Sequence, residues 1–112
     1  MENHKIRIRN NKIEGISVPV YFFRLKKRGV VFAECPALHL VTYGRTLEKA
    51  KAMFADAFIL WRDTVNDSGD AIEILRNLGW QISSKRIIPS QPPFNVPIHL
   101  LGSEHMTLHV GV

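Results

Sequence analysis

The stretch from Leu47 to Val65 contains the pattern that most limits how this chain can fold. Apolar residues recur there at intervals of three and four, with polar residues between them. This spacing matches the 3.6-residue period of an α-helix and predicts one long amphipathic helix. The apolar positions are Leu47, Ala50, Phe54, Ala57, Phe58, Trp61 and Val65, and Lys49, Lys51, Asp56 and Asp63 occupy the other side. Because such a helix needs a cover for its apolar side, the rest of the chain must supply a hydrophobic surface.

Four segments that precede the helix have the composition or the two-residue alternation of β-strands. Short stretches of turn-forming residues join them, which predicts an antiparallel meander of three to four strands. The predicted strands are Lys5–Arg9, Val18–Leu25, Val30–Cys35 and Leu38–Tyr43.

Turn chemistry marks the joins between these strands. Asn10-Asn11 and Glu14-Gly15 predict turns on either side of Lys12-Ile13. Residues 26–29 fit a hairpin loop in which Gly29 takes a positive φ. Pro19 lacks a backbone N–H, so it favours the beginning of a strand or an edge position.

The long helix has clear signals at both ends, and a second, short helix follows it. Thr46 is a good N-cap, and four turn formers in residues 66–69 predict the end of the helix. Asp70 and Glu73 have the spacing of a capping box for the second helix. Gly79 fits a left-handed C-cap after it, with Trp80 folded back onto Leu75.

The last quarter of the sequence predicts an extended connection and a closing strand. Residues 87–97 hold four of the six prolines, which predicts a stiff, extended segment. Residues 105–110 alternate again, which predicts a strand that joins the same sheet. Together with Lys5–Arg9, this strand is a candidate free edge for self-association.

Length and composition predict one domain that spans residues 1–112. With 112 residues, 46% hydrophobic and 22% charged, the chain has the composition of an ordinary globular protein. The predicted fold is α+β, with a meander covered on one face by the long helix, plus a short helix and a C-terminal strand. No apolar run is long enough to cross a membrane, and the single cysteine cannot form an internal disulfide, so a cytoplasmic location is expected.

The positive charge of the chain is concentrated near its beginning. Residues 1–28 contain eight basic and two acidic residues, while the whole chain has a net charge of +5. The candidate partner-binding residues in this region are Arg24, Lys26, Lys27 and Arg28. They could equally keep a strand edge and a hairpin tip soluble.

Aromatic residues in the same region leave two interpretations open. Tyr21, Phe22, Phe23 and Phe32 could form a face that binds single-stranded nucleic acid, or could be half core and half rim of a sheet. For Trp61 and Trp80, packing in the core is expected rather than stacking on bases.

The residues that could perform catalysis are few, and no catalytic residue, metal site or cofactor is predicted. Cys35 could be a nucleophile beside His39, but a buried structural cysteine is the simpler interpretation. His105 and His109 would be about 13 Å apart in a strand, too far to bind one metal ion. Glu34 is the clearest carboxylate on a predicted strand, whereas metal-dependent nucleases need several.

Two stretches, 31–38 and 42–50, resemble the HicB-like antitoxin family. The family shows a strand that ends in Pro-x-Leu and a later Thr-x-Gly-x-Thr-x-x-x-Ala step into a long helix. Here Gly44 permits the sharp turn, Thr46 caps the helix and Ala50 allows close packing. The matching structural residues are Pro36, Leu38, Gly44, Thr46 and Ala50, followed by Gly79 and Trp80 in a Leu-Gly-Trp feature of one branch of the family.

The resemblance implies a partial RNase H-like fold and the role of a non-enzymatic antitoxin. The implied partner is a small HicA-type RNA-cleaving toxin, which the antitoxin neutralises by covering its active site. Homo-oligomers, as dimers or tetramers, are also implied. The family's Pro-Gly turn is absent after Leu38. Residues 81–112, with their prolines and one predicted strand, are not expected to form the C-terminal DNA-binding domain that many members carry. The alternative function is a stand-alone nucleic-acid-binding domain that uses the basic hairpin.

Overall fold

The computed structural model of the chain describes residues 5–25, 29–83, 87–90 and 100–109. These residues form seven strands, two α-helices and one 3-10 turn. In chain order the elements are β1 (Lys5–Arg9), β2 (Lys12–Leu25), β3 (Val30–Cys35), the 3-10 turn Pro36–Leu38, β4 (Leu40–Gly44), α1 (Leu47–Ser68), α2 (Ala71–Asn77), β5 (Gln81–Ile82), β6 (Ile87–Ile88) and β7 (Leu100–His109).

Strand β2 is the centre of a five-stranded antiparallel sheet. Strand β7 pairs with residues 15–23 of β2, while β1 pairs with residues 12–17 and β3 with residues 21–25. Since β7 overlaps both partners, β1 and β3 must lie end to end along the other edge of β2. Strand β4 pairs with β3 and extends the sheet on that side. The predicted α+β fold, with a meander, a long helix, a short helix and a C-terminal strand in the same sheet, is confirmed.

Strand β2 is longer than predicted because the expected turn at Glu14-Gly15 does not form. The chain continues as a strand through both residues. The pairing register of β2 with β1 shifts there, between the partners of Arg7 and Ile8. Gly15 pairs with Arg7 of β1 on one edge and with His109 of β7 on the other, while Glu14 is the extra residue between the two registers of β1. Pairing on both edges at Gly15 therefore overrides the local turn propensity.

Pro19 lies inside this central strand, so the prediction of a strand start or an edge position was wrong. On the edge shared by β1 and β3, the pairing of β1 ends at Ser17 and that of β3 begins at Tyr21. Pro19 falls in this gap between the two neighbouring strands. At such a break no neighbouring strand on that edge needs the missing N–H donor, so a proline disturbs the hydrogen-bond ladder less there than elsewhere in the strand.

The segment after β3 differs from the predicted strand at Leu38–Tyr43. Pro36–Leu38 forms a 3-10 turn, His39 takes a left-handed conformation with φ 56°, and the strand begins only at Leu40. Ala37 and Leu38 are buried, so the turn adds its apolar side chains to the core.

Helix α1 covers one side of the sheet, as its periodicity predicts. Thr46 is the N-cap, since its hydroxyl oxygen accepts a hydrogen bond from the Lys49 N–H at 3.1 Å. The helix ends at Ser68, and the C-cap residue Gly69 has φ 76°. Lys51, expected on the solvent side, instead places its Nζ 5.6 Å from the ring centroid of Phe22. The side chains of α1 that are buried in the core are Ala50, Phe54, Phe58 and Val65.

Helix α2 has its predicted C-terminus and begins after Asp70 as predicted, but the predicted capping box does not form. Gly79 has φ 102°, and the Trp80 N–H donates to the Leu75 carbonyl at 3.0 Å, as expected. The Asp70 side chain makes no capping hydrogen bond. Its place is taken by Asn11, whose Oδ1 accepts from the Ile72 N–H at 2.9 Å. Because Asn11 is 61 residues away, no local pattern could have indicated this cap.

The proline-rich segment is only partly covered by the described residues. Ile87–Ile88 forms β6, which pairs with β5 in a separate two-stranded sheet. The remaining residues of the predicted extended connection, from 91 to 97, lie outside the described residues, as does Val110 at the end of the predicted last strand. Strand β7 begins at Leu100, five residues earlier than predicted.

Candidate protein-binding face

The two sides of the sheet differ because side chains alternate along each strand. Val31, Ala33 and Cys35 of β3 point toward α1 and are fully buried. The residues between them point to the opposite side, which we call the open face. In register across β2, β3 and β4, the open face consists of Tyr21, Phe23, Phe32, Glu34, Val41 and Tyr43.

Three aromatic rings form a continuous row across the open face. Phe23 and Phe32 are stacked, with ring centroids 5.5 Å apart and an interplanar angle of 15°. The Tyr43 ring lies 5.9 Å from Phe32 at 52°. Each ring belongs to a different strand, so the sheet itself sets their spacing.

The outer strand makes the open face accessible to a partner. Val41 is 54% exposed and Tyr43 is 63% exposed, although both are large and apolar. Glu34 stands in the neighbouring register row, between Tyr21 and Val41. The face therefore combines aromatic surface with one carboxylate near its middle.

Of the predicted basic candidates, Arg24 lies within the described residues, and it is not part of the open face. Arg24 pairs with buried Val31 and follows Phe22 on the side of the sheet that carries α1. Its side chain is exposed, but on the opposite side from Phe23 and Tyr21. Phe22 itself is in the core. Lys26, Lys27 and Arg28 lie outside the described residues.

The residues that carry the family resemblance shape the step from β4 into α1. A Cβ atom at Gly44 would lie 2.7 Å from the Ala50 backbone nitrogen, so only glycine fits against the first turns of the helix. Pro36 begins the 3-10 turn, and Leu38 is buried beneath it. These residues position the helix and do not form a binding surface.

Gly79 and Trp80 have a comparable structural role at the end of α2. The Trp80 indole N–H donates to the Ala37 carbonyl at 2.9 Å in the buried interior. A Cβ atom at Gly79 would lie 2.8 Å from the Ser90 hydroxyl oxygen. The expectation that Trp80 packs in the core is confirmed.

Cys35 has the properties of a structural cysteine. It is fully buried, and this burial raises the pKa of its thiol to about 12. His39, its proposed partner, is exposed after the 3-10 turn. Among the residues that the structure describes, no group of three or more His, Cys, Asp or Glu residues is arranged to hold a metal ion.

An open cleft of about 450 Å³ lies at the end of α2. Arg76 is one of its lining residues, and its guanidinium N–H donates to the Ile82 carbonyl at 2.7 Å. The lining residues are Arg76, Trp80, Gln81, Ile82, Ser83 and Ile88.

Sequence reasoning missed Val41 and Tyr43 as surface residues, although the alternation in β4 contains the signal.

Comparison of the chain with protein-family models, curated proteins and solved structures finds no match in any of the three. Within the described parts of the chain, no helix combines the length and apolar character needed to cross a bilayer.

Proposed function

We propose that this chain is a HicB-like, antitoxin-type protein-binding domain without catalytic activity of its own. It would neutralise a small HicA-type RNA-cleaving toxin by covering the toxin's active site, and it would act in the cytoplasm, where such a toxin meets its RNA. The observation that carries the proposal is the open face, with its aromatic row and its exposed apolar strand. The motif resemblance in residues 31–50 supports the choice of partner.

The composition of the open face suits a protein partner. Tyrosine and other large aromatic side chains are enriched at protein interfaces, because they bury much area at a small cost in conformational entropy. Phe23 and Phe32 hold each other in place, so little further order is lost on binding. Val41 and Tyr43 add accessible apolar surface beside them.

The charge beside the aromatic row favours a basic protein over a nucleic acid. Glu34 is the charged residue in the register rows that contain the aromatic rings. A toxin that cleaves RNA needs a basic surface to bind the phosphate backbone, and a carboxylate complements that surface. The same carboxylate would repel phosphates.

A growth-rescue experiment tests the proposal. The toxin candidate is a small basic open reading frame beside the gene, and we expect co-expression of the wild-type chain to restore growth. The Glu34→Lys variant should protect less well, because it places a positive charge against the basic toxin. Ile59→Lys, a matched change at an apolar position of α1 that is 40% exposed, should protect as the wild type does. Failure of the wild-type chain to restore growth would refute the antitoxin role.

A second candidate function is binding of single-stranded nucleic acid on the same aromatic row. Rings on adjacent strands of an open sheet are the usual platform on which bases stack, and this observation favours the candidate. It predicts affinity for RNA or DNA that falls steeply with salt. Here Glu34→Lys separates the two candidates, since it should strengthen nucleic-acid binding while it weakens toxin binding.

A further inference from the structure

Strand β4 is the least protected edge of the five-stranded sheet. Natural edge strands usually carry charged residues, prolines or bulges, which discourage pairing with another chain. Lys5, Arg7 and Arg9 supply such charges to β1, and β7 contains Glu104. Strand β4, with the sequence Leu-Val-Thr-Tyr-Gly, has neither a charged residue nor a proline. It pairs with β3 on one edge, and no described strand pairs with the other.

The free edge of β4 presents hydrogen-bonding groups of the main chain. In an antiparallel pair, every second residue of a strand directs its N–H and C=O toward its neighbour, and the residues between direct theirs the other way. The pairing of β4 with β3 is continuous from Leu40 to Gly44. Alternate residues of β4 therefore point donors and acceptors outward, with the spacing that another strand matches.

Exposed apolar side chains lie on both sides of this edge. Val41 and Tyr43 of β4 project from the open face, and Met53 and Leu60 of α1 are 51% and 68% exposed on the other side of the sheet. These four are among the six large hydrophobic side chains that are exposed in the described part of the chain. An occupant that buries them together must contact the sheet and the helix at once.

The course of α1 places Met53 and Leu60 beside β4. Ala50 packs on Gly44 of β4, whereas the next residue of the helix reaches Phe22 of β2, so the side that faces away from β2 continues outward past β4. Helical periodicity puts Met53 and Leu60 on that outward side. From Ala50 the helix runs back toward the beginning of β2, to which its last turn is hydrogen-bonded. The rise from Ala50 to Leu60 is about 15 Å and the length of β4 about 13 Å, so the two side chains flank β4 from end to end.

Basic side chains mark one end of this edge. Arg45 follows β4 directly and Lys49 lies in the first turn of α1, and both are exposed. Glu48, in the same turn, lies on the opposite side of the helix from Met53. His39 precedes β4 at its other end. A second copy of β4 has the same two ends and offers no carboxylate to Arg45, so a different chain with an acidic end is the complementary partner.

We infer that the free edge of β4 binds an extended segment of another protein, which adds an antiparallel strand to the sheet. Antiparallel pairing continues the arrangement of the existing strands. The side chains of the bound segment alternate, so that one set lies beside Val41 and Tyr43 and the other beside Met53. The segment is rich in β-branched residues, free of proline, and acidic at its N-terminal end, which lies next to Arg45.

This edge differs from the contact that the proposed function requires. The bound strand meets the main chain of β4 and the outer side of α1, whereas the proposed toxin contact depends on Glu34 and the aromatic row of the open face. The edge site therefore does not rest on the proposed function. Loss of toxin neutralisation and loss of strand binding are separate results, because a different variant affects each.

The test is binding of synthetic peptides to the full chain, measured by fluorescence anisotropy. The probe is a labelled, acetylated peptide with the sequence Asp-Asp-Ile-Val-Thr-Val-Ile. We expect it to bind at least about tenfold more tightly than a twin in which both aspartates are replaced by lysine. The Arg45→Glu variant should reduce or reverse this preference, because the acidic end of the probe then meets a carboxylate.

Methylation of the peptide backbone tests for main-chain pairing on the wild-type chain. Two further twins carry N-methyl groups on alternate residues, one at the isoleucines and the threonine and the other at the two valines. Each twin has lost the N–H donors along one edge of the strand. Since only one edge of the bound strand faces β4, one twin should bind as the probe does, and the other should lose binding.

Variants of the chain locate the bound peptide. Met53→Glu should weaken binding at least about tenfold, because a carboxylate then lies beside an isoleucine of the probe. Ile59→Glu is the matched control, since it changes another exposed apolar residue of α1 that lies away from β4, and it should bind as the wild type does. Glu34→Lys, which should impair toxin neutralisation, should leave peptide affinity unchanged. On binding, alternate amides of β4 should become protected from hydrogen exchange.

Four results would overturn the inference. They are a probe that does not bind at millimolar concentration, equal binding of the two methylated twins, equal binding of the lysine twin, and amide protection confined to residues outside β4. A chain whose mass doubles without peptide, with its β4 amides protected by that association, would also overturn it, because a second copy would then occupy the edge.

Discussion

Asn66, near the end of α1, completes the hydrogen bonding of Ile13, near the beginning of β2. The Ile13 N–H donates to Asn66 Oδ1 at 2.8 Å, and Asn66 Nδ2 donates to the Ile13 carbonyl at 3.0 Å. Strand β7 pairs with β2 only as far as Gly15. The asparagine side chain thus satisfies the backbone N–H and carbonyl of Ile13 on the strand edge that β7 does not reach. It also joins the helix to the central strand.

Replacement of Asn66 by alanine should destabilise the fold through the loss of both hydrogen bonds. We expect the free energy of unfolding to fall by about 1–3 kcal/mol, offset by roughly 0.6 kcal/mol from the better helix propensity of alanine. Urea denaturation measures the change. Asp67→Ala, at the exposed neighbouring position, should change stability by less than about 0.5 kcal/mol. Equal losses for the two variants would contradict this role of Asn66.

Asn11 is expected to contribute to stability in two separable ways. It has φ 57°, accepts from the Ile72 N–H and donates to the Gly69 carbonyl. Asn11→Gly keeps the left-handed turn but removes the cap of α2, which should cost about 1 kcal/mol. Asn11→Ala adds left-handed strain and should cost about 1 kcal/mol more. Thermal unfolding of both variants measures the two contributions, and an alanine variant as stable as the glycine variant would exclude strain at this turn.

Gly44 and Gly69 should respond differently to the same substitution. In Gly44→Ala the new methyl group meets the backbone of Lys49 and Ala50 at 2.7–2.8 Å, so α1 must move away from β4. We expect a loss of more than about 2 kcal/mol, as in other overpacked sites. Gly69→Ala meets no atom within 4 Å and should cost only the strain of its positive φ, about 1 kcal/mol. Denaturant titration gives both values, and the reverse order would contradict the close packing at Gly44.

The Cys35 thiol should be unreactive in the folded protein. Burial raises its pKa from the ordinary 9.0 to about 12, so at pH 8 only about one molecule in 10⁴ carries a thiolate. We expect a thiol reagent such as dithionitrobenzoate to react fully only after denaturant is added. Rapid labelling of the native chain would show that the core around Cys35 opens readily.

The same shift predicts a pH dependence of stability. Because the folded pKa lies above the unfolded one, the contribution of Cys35 is complete below pH 9 and is lost as the pH rises toward 12. Other groups titrate in this range, so the measurement is the difference between the wild type and Cys35→Ala. The alanine variant should lose less stability between pH 8 and pH 11, and parallel curves would contradict the assignment.

The residues of the candidate face could be predicted only in part. The alternation in β2 by itself places Tyr21 and Phe23 on one side of a sheet and Arg24 on the other. It could not show that Phe32 of β3 and Tyr43 of β4 lie beside Phe23 on that side, because this depends on the pairing register. A shift of one residue in that register would reverse which side chains face the helix.

The sequence by itself determined the kinds of element and most of their ends, because these depend on residues a few positions apart. The stripe of α1, the Thr46 cap and the glycine at the end of α2 are examples. Only the tertiary structure decided that β7 pairs with the centre of β2, that Asn11 caps α2 and that Asn66 bonds to Ile13. These contacts join residues 53 or more positions apart, and their free energy arises only when the whole sheet and its helix assemble.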